Sequence, residues 1–189
     1  KFKVKYDKDN DEIIFPVINR DMEVIGYQTR GVKEKKIRSY GNVNTLFGQH
    51  LLKKDEKNHE LWLTEGAIDG IIIYKNSKEV VSILGGMSEQ KIKDIRRLEY
   101  RVLVCAFDND QAGDNYSKRI AEEFPDKIVK RVFFDKGNDA GDTPYGELEY
   151  EIHYMKWGDK MGEEEIDNKQ VRLQILKQRQ ALPLDIKVM

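Results

Sequence analysis

Residues 103–113 constrain the fold of this chain more than any other stretch. They form an apolar run, Leu-Val-Cys-Ala-Phe, followed by two carboxylates one residue apart, Asp108 and Asp110. An apolar run of this length between polar residues predicts a buried strand of a parallel sheet. Because Ala112 to Phe124 repeats apolar residues at helical spacing, the stretch predicts a strand, a turn and a helix.

The two aspartates stand where α/β proteins bind ligands, at the carboxyl end of a strand. No basic residue follows them before Lys118, so their charges repel each other unless a cation lies between them. Magnesium prefers oxygen ligands and usually shares them with a substrate phosphate. The stretch therefore predicts a metal site.

Length and charge limit what the rest of the chain can be. With 189 residues, 39% of them hydrophobic, the chain can form one good core, or one core and a small satellite. The net charge of −1 conceals a basic region, because nine Lys and Arg residues lie with five acids between Arg20 and Lys57. This asymmetry favours a polyanionic partner, although a solvated charged surface is the commoner reason for such a run.

Cysteine and histidine content argues against two other kinds of site. The single Cys105 permits no intramolecular disulfide, so a reducing, cytoplasmic compartment is expected. One cysteine and three scattered histidines do not make the usual zinc ligand set.

No apolar run approaches the roughly 20 residues of a membrane span. Because the chain has no secretory signal and begins at Lys1, we expect it to be a piece of a longer protein.

Residues 1–58 are predicted to form a small α+β unit. Glu12 to Ile18 and Glu23 to Arg30 read as the two arms of a hairpin, joined by polar turn residues. Pro16 within the first arm indicates an edge position or a bulge. Leu46 and Phe47 are predicted to dock this unit against the segment that follows.

Residues 59–143 alternate predicted strands and helices, which is typical of a parallel sheet. Right-handed crossovers then give a doubly wound layer, in which the strand ending at Glu65 lies beside the strand ending before Asp108. A third segment, residues 144–189, follows with two predicted helices, Tyr145 to Trp157 and Glu163 to Gln180.

One helix of the alternating segment is predicted from Ser88, as its N-cap, through Tyr100. Ile92, Ile95 and Leu98 recur at helical spacing and are predicted to face the core. The basic residues of this stretch are predicted to form an exposed face: Lys91, Lys93, Arg96, Arg97 and Arg101.

Acidic residues recur where several predicted strands end. They are Glu65 after the first strand, Asp108 and Asp110 after the third, and Asp139 and Asp142 after the fourth. Asp69 lies one helical turn beyond Glu65 and can point back to the same rim. Any one of these acids is equally well explained as a helix cap. Together they predict a metal centre, because convergent carboxylates are costly without a cation.

Three motifs resemble the Toprim domain, which DnaG-type primases share with topoisomerases and related nucleases. They are Thr64-Glu65-Gly66-Ala67-Ile68-Asp69, Ile83-Leu84-Gly85-Gly86 and Phe107-Asp108-Asn109-Asp110-Gln111-Ala112-Gly113. This resemblance covers residues 60–142 and implies a Rossmann-like parallel sheet with flanking helices. The loop from Gly137 to Asp142 is also similar to that of primases, although Asn138 and Gly141 depart from the family pattern.

The amino-terminal residues resemble a neighbouring subdomain of DnaG-type primases. The similar stretches are Ile14-Phe15-Pro16-Val17, Val24-Ile25-Gly26-Tyr27, Arg30, and Lys36 to Tyr40 before Leu46-Phe47. The likeness is greatest to phage and primase–helicase enzymes. The implied fold is therefore a Toprim domain with a small amino-terminal α+β subdomain and carboxy-terminal helices.

The resemblance implies a DNA primase core that synthesises RNA primers on single-stranded DNA from ribonucleoside triphosphates. The implied metal residues are Glu65, Asp108 and Asp110 as the catalytic set, with Asp69, Asp139 and Asp142 in support. Mg²⁺ or Mn²⁺ is the implied cofactor, and Glu65 could instead transfer a proton. The residues hypothesised to hold template or triphosphate are Arg30, Lys36 and Arg38. A replicative helicase is a further implied partner, in a bacterial or phage-infected cytoplasm and with no membrane.

Two other functions stay open on sequence alone. A Toprim nuclease would use the same carboxylates to cleave phosphodiesters, but the basic hairpin favours the primase. A non-catalytic module would bind DNA or a helicase, but the acidic positions are intact.

Overall fold

The computed structural model describes residues 1–34, 36–53, 60–135, 137, 139–142 and 150–155, and the strands among these residues form two β-sheets. Both sheets belong to one compact unit, Lys1–Trp157. The helix predicted from Glu163 to Gln180 lies outside the described residues.

The first sheet is antiparallel, with its strands in chain order. They are β1 (Lys5–Asp7), β2 (Glu12–Ile18), β3 (Val24–Gly31) and β4 (Ile37–Gly41). The predicted hairpin is β2 and β3. Because β1 pairs only with residues 12–14 of β2, Pro16 lies beyond its end, and the register shifts between Val17 and Ile18. Pro16 therefore lies where β2 has no β1 partner, which fits the edge position that it indicated, and the bulge lies in β3, where Ile25 is the extra residue.

The second sheet is mainly parallel and has the strand order β6-β5-β7-β8-β9. Its strands are β5 (Glu60–Thr64), β6 (Val80–Ser82), β7 (Val102–Cys105), β8 (Ile128–Phe134) and β9 (Tyr150–Met155). The first four run parallel, and β5 pairs with β7 as predicted. Their carboxyl ends therefore meet at one edge of the sheet.

The helix predicted over Tyr145 to Trp157 is wrong for residues 150–155, which form β9. This strand pairs antiparallel with β8 over six residues, from Val129↔Met155 to Phe134↔Tyr150. The sequence Tyr-Glu-Ile-His-Tyr-Met alternates larger apolar and polar side chains at its start, which suits a sheet with one covered face. Pairing with β8 satisfies backbone groups of both strands, and this outweighs helix propensity.

Three α-helices of the described residues cover the faces of the second sheet: α1 (Ala67–Lys75), α2 (Glu89–Arg96) and α3 (Gln111–Glu123). Ser88 caps α2 as predicted, since its hydroxyl accepts from the Lys91 amide at 3.3 Å. The helix ends at Arg96, before Tyr100, because the chain turns and Glu99 takes a positive φ of 58°. None of the helices in the described residues has the length and apolarity that a membrane crossing needs.

Lys91 departs from the exposed face predicted for α2. Its side chain is buried, and its ammonium group donates to the Gly86 carbonyl at 2.9 Å. This hydrogen bond accounts for the burial, because it partly compensates the loss of water around the ammonium group beside the loop that follows β6. The other basic residues of this stretch are exposed as predicted: Lys93, Arg96, Arg97 and Arg101.

One apolar cluster joins the two sheets. Phe15 and Val17 of β2 pack in it with Phe47 and with Ala67 of α1. Phe47 also forms a backbone bridge with Ser82, the last residue of β6. The docking role predicted for Leu46 and Phe47 is confirmed, since both are fully buried.

Candidate active site

Glu65 and Asp108 meet across the β5–β7 pair. The parallel pairing of Leu63 with Cys105 brings the two strand ends level. The backbone amide of Asp108 then donates to Glu65 Oε1 at 3.3 Å. The sheet therefore brings together these two acidic residues from separate β–α junctions.

Asp110 is the N-cap of α3. Its carboxylate accepts from the Gly113 amide at 2.9 Å, and its own amide donates to the Asp108 carbonyl at 2.8 Å. The cap satisfies one of the unpaired amides of the first helical turn. Its side chain is thereby held on the same turn as Asp108, at the start of the helix.

Asp69 links α1 to the loop that follows β8. One of its carboxylate oxygens accepts from the Gly66 amide at 3.2 Å, and the other accepts from the Gly141 amide at 3.0 Å. In that loop, the Asp142 amide donates to Asp139 Oδ1 at 2.9 Å. A Cβ on Gly141 would lie 2.9 Å from the Asp69 carboxylate and 3.0 Å from that of Asp139, so these two side chains flank the glycine.

Three of these carboxyl groups have strongly raised pKa values. Burial, followed by the Asp108 charge, raises the pKa of Glu65 from 4.5 to about 7. Burial and the charges of Asp139 and Asp108 raise the pKa of Asp69 to about 7. Burial and the charges of Asp139 and Asp110 raise the pKa of Asp108 to about 6. Carboxylates from three junctions therefore repel one another at this edge.

The donor set fits a divalent ion such as Mg²⁺ or Mn²⁺, because it consists of carboxylate oxygens that already repel one another. As the side chains stand, no three Asp, Glu, His or Cys residues in the described part of the chain form a metal cage. The contacts are pairwise, and Asp110 is exposed while Glu65 and Asp108 are half-buried, so their rotamers can change. Glu65, Asp108 and Asp110 are the residues that would hold the ion.

The predicted basic residues do not form one cluster. Arg30 pairs with Ile13 in the β2–β3 ladder, which places it on the face that packs towards α1. Arg38 pairs with Thr29 on the opposite face, where it forms an ion pair with Glu12. Lys36 lies exposed just before β4.

Sequence reasoning missed a buried arginine beneath the acidic edge. Arg131 of β8 is 3% exposed, and its guanidinium donates to the Phe107 carbonyl at 2.7 Å and to the Asp108 carbonyl at 2.6 Å. The one available signal was an arginine within an apolar strand.

An aromatic pair beside Arg38 was also missed. Tyr27 of β3 and Tyr40 of β4 stack with ring centroids 4.7 Å apart, and both are more than one-third exposed. The two residues are paired across the ladder, on the same face as Arg38. Their signal in the sequence was present only once the hairpin register was known.

Comparison with known proteins identifies the same region. The family model described as Toprim-like matches residues 62–143. The DNA primase of Helicobacter pylori is 26% identical over 116 residues, which are 56% of this chain and 21% of that protein. The chain thus spans about a fifth of the length of this relative.

Solved structures share the fold. A DNA primase domain from Pseudomonas aeruginosa superposes with a TM-score of 0.60 at 22% identity, covering 78% of this chain and 53% of the other. The primase fragment of the bacteriophage T7 primase-helicase protein gives 0.59 at 20% identity, covering 74% and 59%. The mixed α/β fold expected from the sequence is therefore confirmed, with its parallel strands in the second sheet.

Proposed function

Because residues 62–143 are a Toprim domain of the DnaG primase type, we propose that this chain is the catalytic core of a DNA primase. It synthesises RNA primers on single-stranded DNA by metal-dependent nucleotidyl transfer. The observation that supports this most is the contact of Glu65 with the Asp108 amide, beside the Asp110 cap.

The chain's own residues divide the work at the acidic edge. Asp108 and Asp110 present carboxylates from one turn, and Glu65 approaches them from the neighbouring strand. Asp69 fastens the 139–142 loop, which carries Asp139 and Asp142, to the start of α1. Bound Mg²⁺ or Mn²⁺ would supply the positive charge that clamps a triphosphate and favours attack on its α-phosphate.

Glu65 has an alternative role in the same reaction, as a proton-transfer group instead of a metal ligand. Its pKa of about 7 allows its carboxyl group to hold or accept a proton near neutral pH. The 3′-hydroxyl of a primer loses a proton as it attacks the α-phosphate. In this alternative, Glu65, whose Oε1 accepts from the Asp108 amide, is the residue proposed to receive that proton.

The first sheet supplies features that suit a template and triphosphate. Arg38 and the Tyr27–Tyr40 stack offer a cation and exposed aromatic rings on one face, which suit phosphate contacts and base stacking. Arg30 lies on the other face, nearer α1, and Lys36 lies between them in the chain. A helicase partner is proposed because the T7 structure comes from a primase-helicase protein.

A primer-synthesis assay tests this proposal. The purified chain is incubated with single-stranded DNA, labelled ribonucleoside triphosphates and Mg²⁺ or Mn²⁺. We expect Asp108→Asn to reduce labelled product by more than about 100-fold, because a metal ligand is lost. The matched control is Asp126→Asn, an exposed aspartate before β8, which should keep full activity.

Parallel measurements separate the two alternatives. A nuclease would nick supercoiled plasmid in a manner that needs Asp108, and it would make no labelled RNA. A binding module would retain single-stranded DNA without metal and without either activity. Undiminished synthesis by Asp108→Asn, or synthesis by no form of the chain alongside carboxylate-dependent nicking, would refute the primase proposal.

A further inference from the structure

Arg131 lies in the core of the second sheet, against the turn that carries Asp108 and Asp110. One guanidinium nitrogen donates to the Phe107 carbonyl at 2.7 Å and lies 3.4 Å from the Cys105 carbonyl. The other donates to the Asp108 carbonyl at 2.6 Å. One side chain of β8 therefore contacts backbone carbonyl groups from the end of β7, at Cys105, to the start of the acidic turn, at Asp108.

The burial of this charge is costly for the fold. Its guanidinium is 3% exposed, and its Nε has no hydrogen-bond partner among the described residues. The nearest acid, Asp114, is 3.5 Å away and half-exposed. Because apolar residues of similar volume often replace buried ions without loss of stability, packing alone does not account for an arginine here.

The start of α3 leaves room for the guanidinium. A Cβ on Gly113 would collide with the Asp108 carbonyl oxygen and would lie 3.0 Å from the Arg131 guanidinium. The Gly113 amide is the donor that the Asp110 cap accepts. Two sets of contacts thus hold the backbone that carries both carboxylates. They are the hydrogen bonds from Arg131 to the Phe107 and Asp108 carbonyls, and the hydrogen bond from the Gly113 amide to the Asp110 carboxylate.

We infer that Arg131 is a positioning residue that fixes the Phe107–Asp108 backbone so that Asp108 and Asp110 face the divalent ion. This inference rests on the proposed function, because it concerns the same site. To donate to two carbonyl groups at once in a fixed geometry, the side chain needs a planar group with two donor nitrogens. Arginine has such a guanidinium group and lysine does not.

The same cation also acts on the site by its charge, and the two effects differ in sign. Burial and carboxylate neighbours raise the pKa of Glu65 and Asp108, and the Arg131 charge opposes this. A positive charge also repels a metal ion. If Arg131 acted by charge alone, its removal at a pH well above 7, where Glu65 and Asp108 are ionised, would leave divalent binding unchanged or tighter, whereas loss of positioning weakens it.

The test measures Mn²⁺ affinity by electron paramagnetic resonance in folded variants, separately from activity. We expect both Arg131→Met and Arg131→Lys to weaken Mn²⁺ binding by about 10-fold or more, within the range seen for residues that orient metal ligands. The control is Lys130→Met, which removes the neighbouring charge, paired with Glu60 at 2.6 Å, and should change the Kd by less than about twofold.

Equal or tighter Mn²⁺ binding by Arg131→Lys would overturn the inference, and this variant decides alone if Arg131→Met does not fold. Hydrogen exchange of the amides of residues 108–113 gives a metal-independent reading. We expect exchange there to quicken at least about 10-fold in Arg131→Lys and not in Lys130→Met. If the unaltered chain binds no Mn²⁺, the proposed function fails, and unchanged exchange in Arg131→Lys would then overturn the positioning role separately.

Discussion

The acidic edge of the second sheet and the basic residues Lys36 and Arg38 of the first sheet differ in how firmly the fold holds their side chains. At the edge, backbone amides donate to four of the described carboxylates: those of Glu65, Asp69, Asp110 and Asp139. On the first sheet, Lys36 is exposed, and Arg38, whose side chain is 43% exposed, forms an ion pair with the largely buried Glu12. The fold thus preorganises the site of chemistry through backbone amides, whereas these two cations keep exposed side chains.

Both regions depend on the apolar cluster that contains Phe47, and a substitution of this residue is expected to have the largest effect. Phe47→Ala should lower the free energy of unfolding by about 3–5 kcal/mol, because this fully buried ring lies in the cluster that joins β2 of the first sheet to Ala67 of α1 and to Leu84, which follows β6. Urea unfolding followed by fluorescence measures the loss. Tyr154→Ala, at an aromatic ring that is 52% exposed on β9, should cost about 1 kcal/mol or less. Equal losses in the two variants would contradict a shared core.

Asp110 combines a structural role with a chemical one, and two variants separate them. Asp110→Ala should lose about 1 kcal/mol of stability, because the cap to the Gly113 amide disappears. Asp110→Asn keeps an oxygen for the cap and should remain near the original stability. Both should lose nucleotidyl transfer in the primer-synthesis assay. Full activity in Asp110→Asn would break the assignment of this carboxylate to the metal.

The crowding of carboxylates predicts how stability varies with pH in a metal-free protein. In the folded chain the pKa values of Glu65 and Asp69 are about 7 and that of Asp108 is about 6, against ordinary values of 4.5 and 3.8. The folded state therefore binds more protons than the unfolded state over this window. The contribution to stability is complete below the ordinary values and is lost as the pH rises through about 6 to 7.

Thermal unfolding in a chelating buffer between pH 4.5 and 8 tests this slope. The difference between the original chain and Asp69→Asn isolates the Asp69 contribution from other titrating groups. We expect Asp69→Asn to lose less stability over the window than the original chain does. Identical slopes in the two proteins would show that the carboxylates are not crowded.

The smallest effects are expected for the substitution of Arg38, which should change the affinity for single-stranded DNA. Arg38→Met should raise the Kd for single-stranded DNA by about threefold to tenfold and reduce the salt dependence of binding by about 0.7 in log–log slope, as for one phosphate contact. Fluorescence anisotropy measures both quantities. Lys93→Met, an exposed cation on α2, is the charge-matched control and should leave both unchanged. A reduced maximal rate at saturating template in Arg38→Met would place this residue in the chemistry instead.

Sequence periodicity anticipated the elements that carry the acidic edge. The apolar run before Asp108 and the strand before Glu65 were predicted as neighbours, and they pair in parallel. Such strands are legible because they are buried on both faces and end in a polar turn. The roles of the acidic and basic residues remain predictions.

The features that escaped prediction depend on partners distant in the sequence. The alternation of apolar and polar residues in β9 is short, and its pairing partner, the edge of β8, lies far earlier in the chain, at Ile128–Phe134. Lys91 is buried because it captures the Gly86 carbonyl. Arg131 becomes meaningful only once the parallel sheet places it beneath the Asp108 turn. In each case the tertiary partner, not the residue's own propensity, decides the outcome.

The central claim is that carboxylates from separate β–α junctions share one divalent ion, and Mn²⁺ titration tests it most directly. The Kd is measured by electron paramagnetic resonance for the original chain, Glu65→Gln, Asp108→Asn and the double variant. We expect each single change to weaken binding by about 10-fold or more, and the double change to weaken it by less than the product of the two, because both residues hold the same ion. Unchanged Mn²⁺ affinity in Glu65→Gln would contradict it.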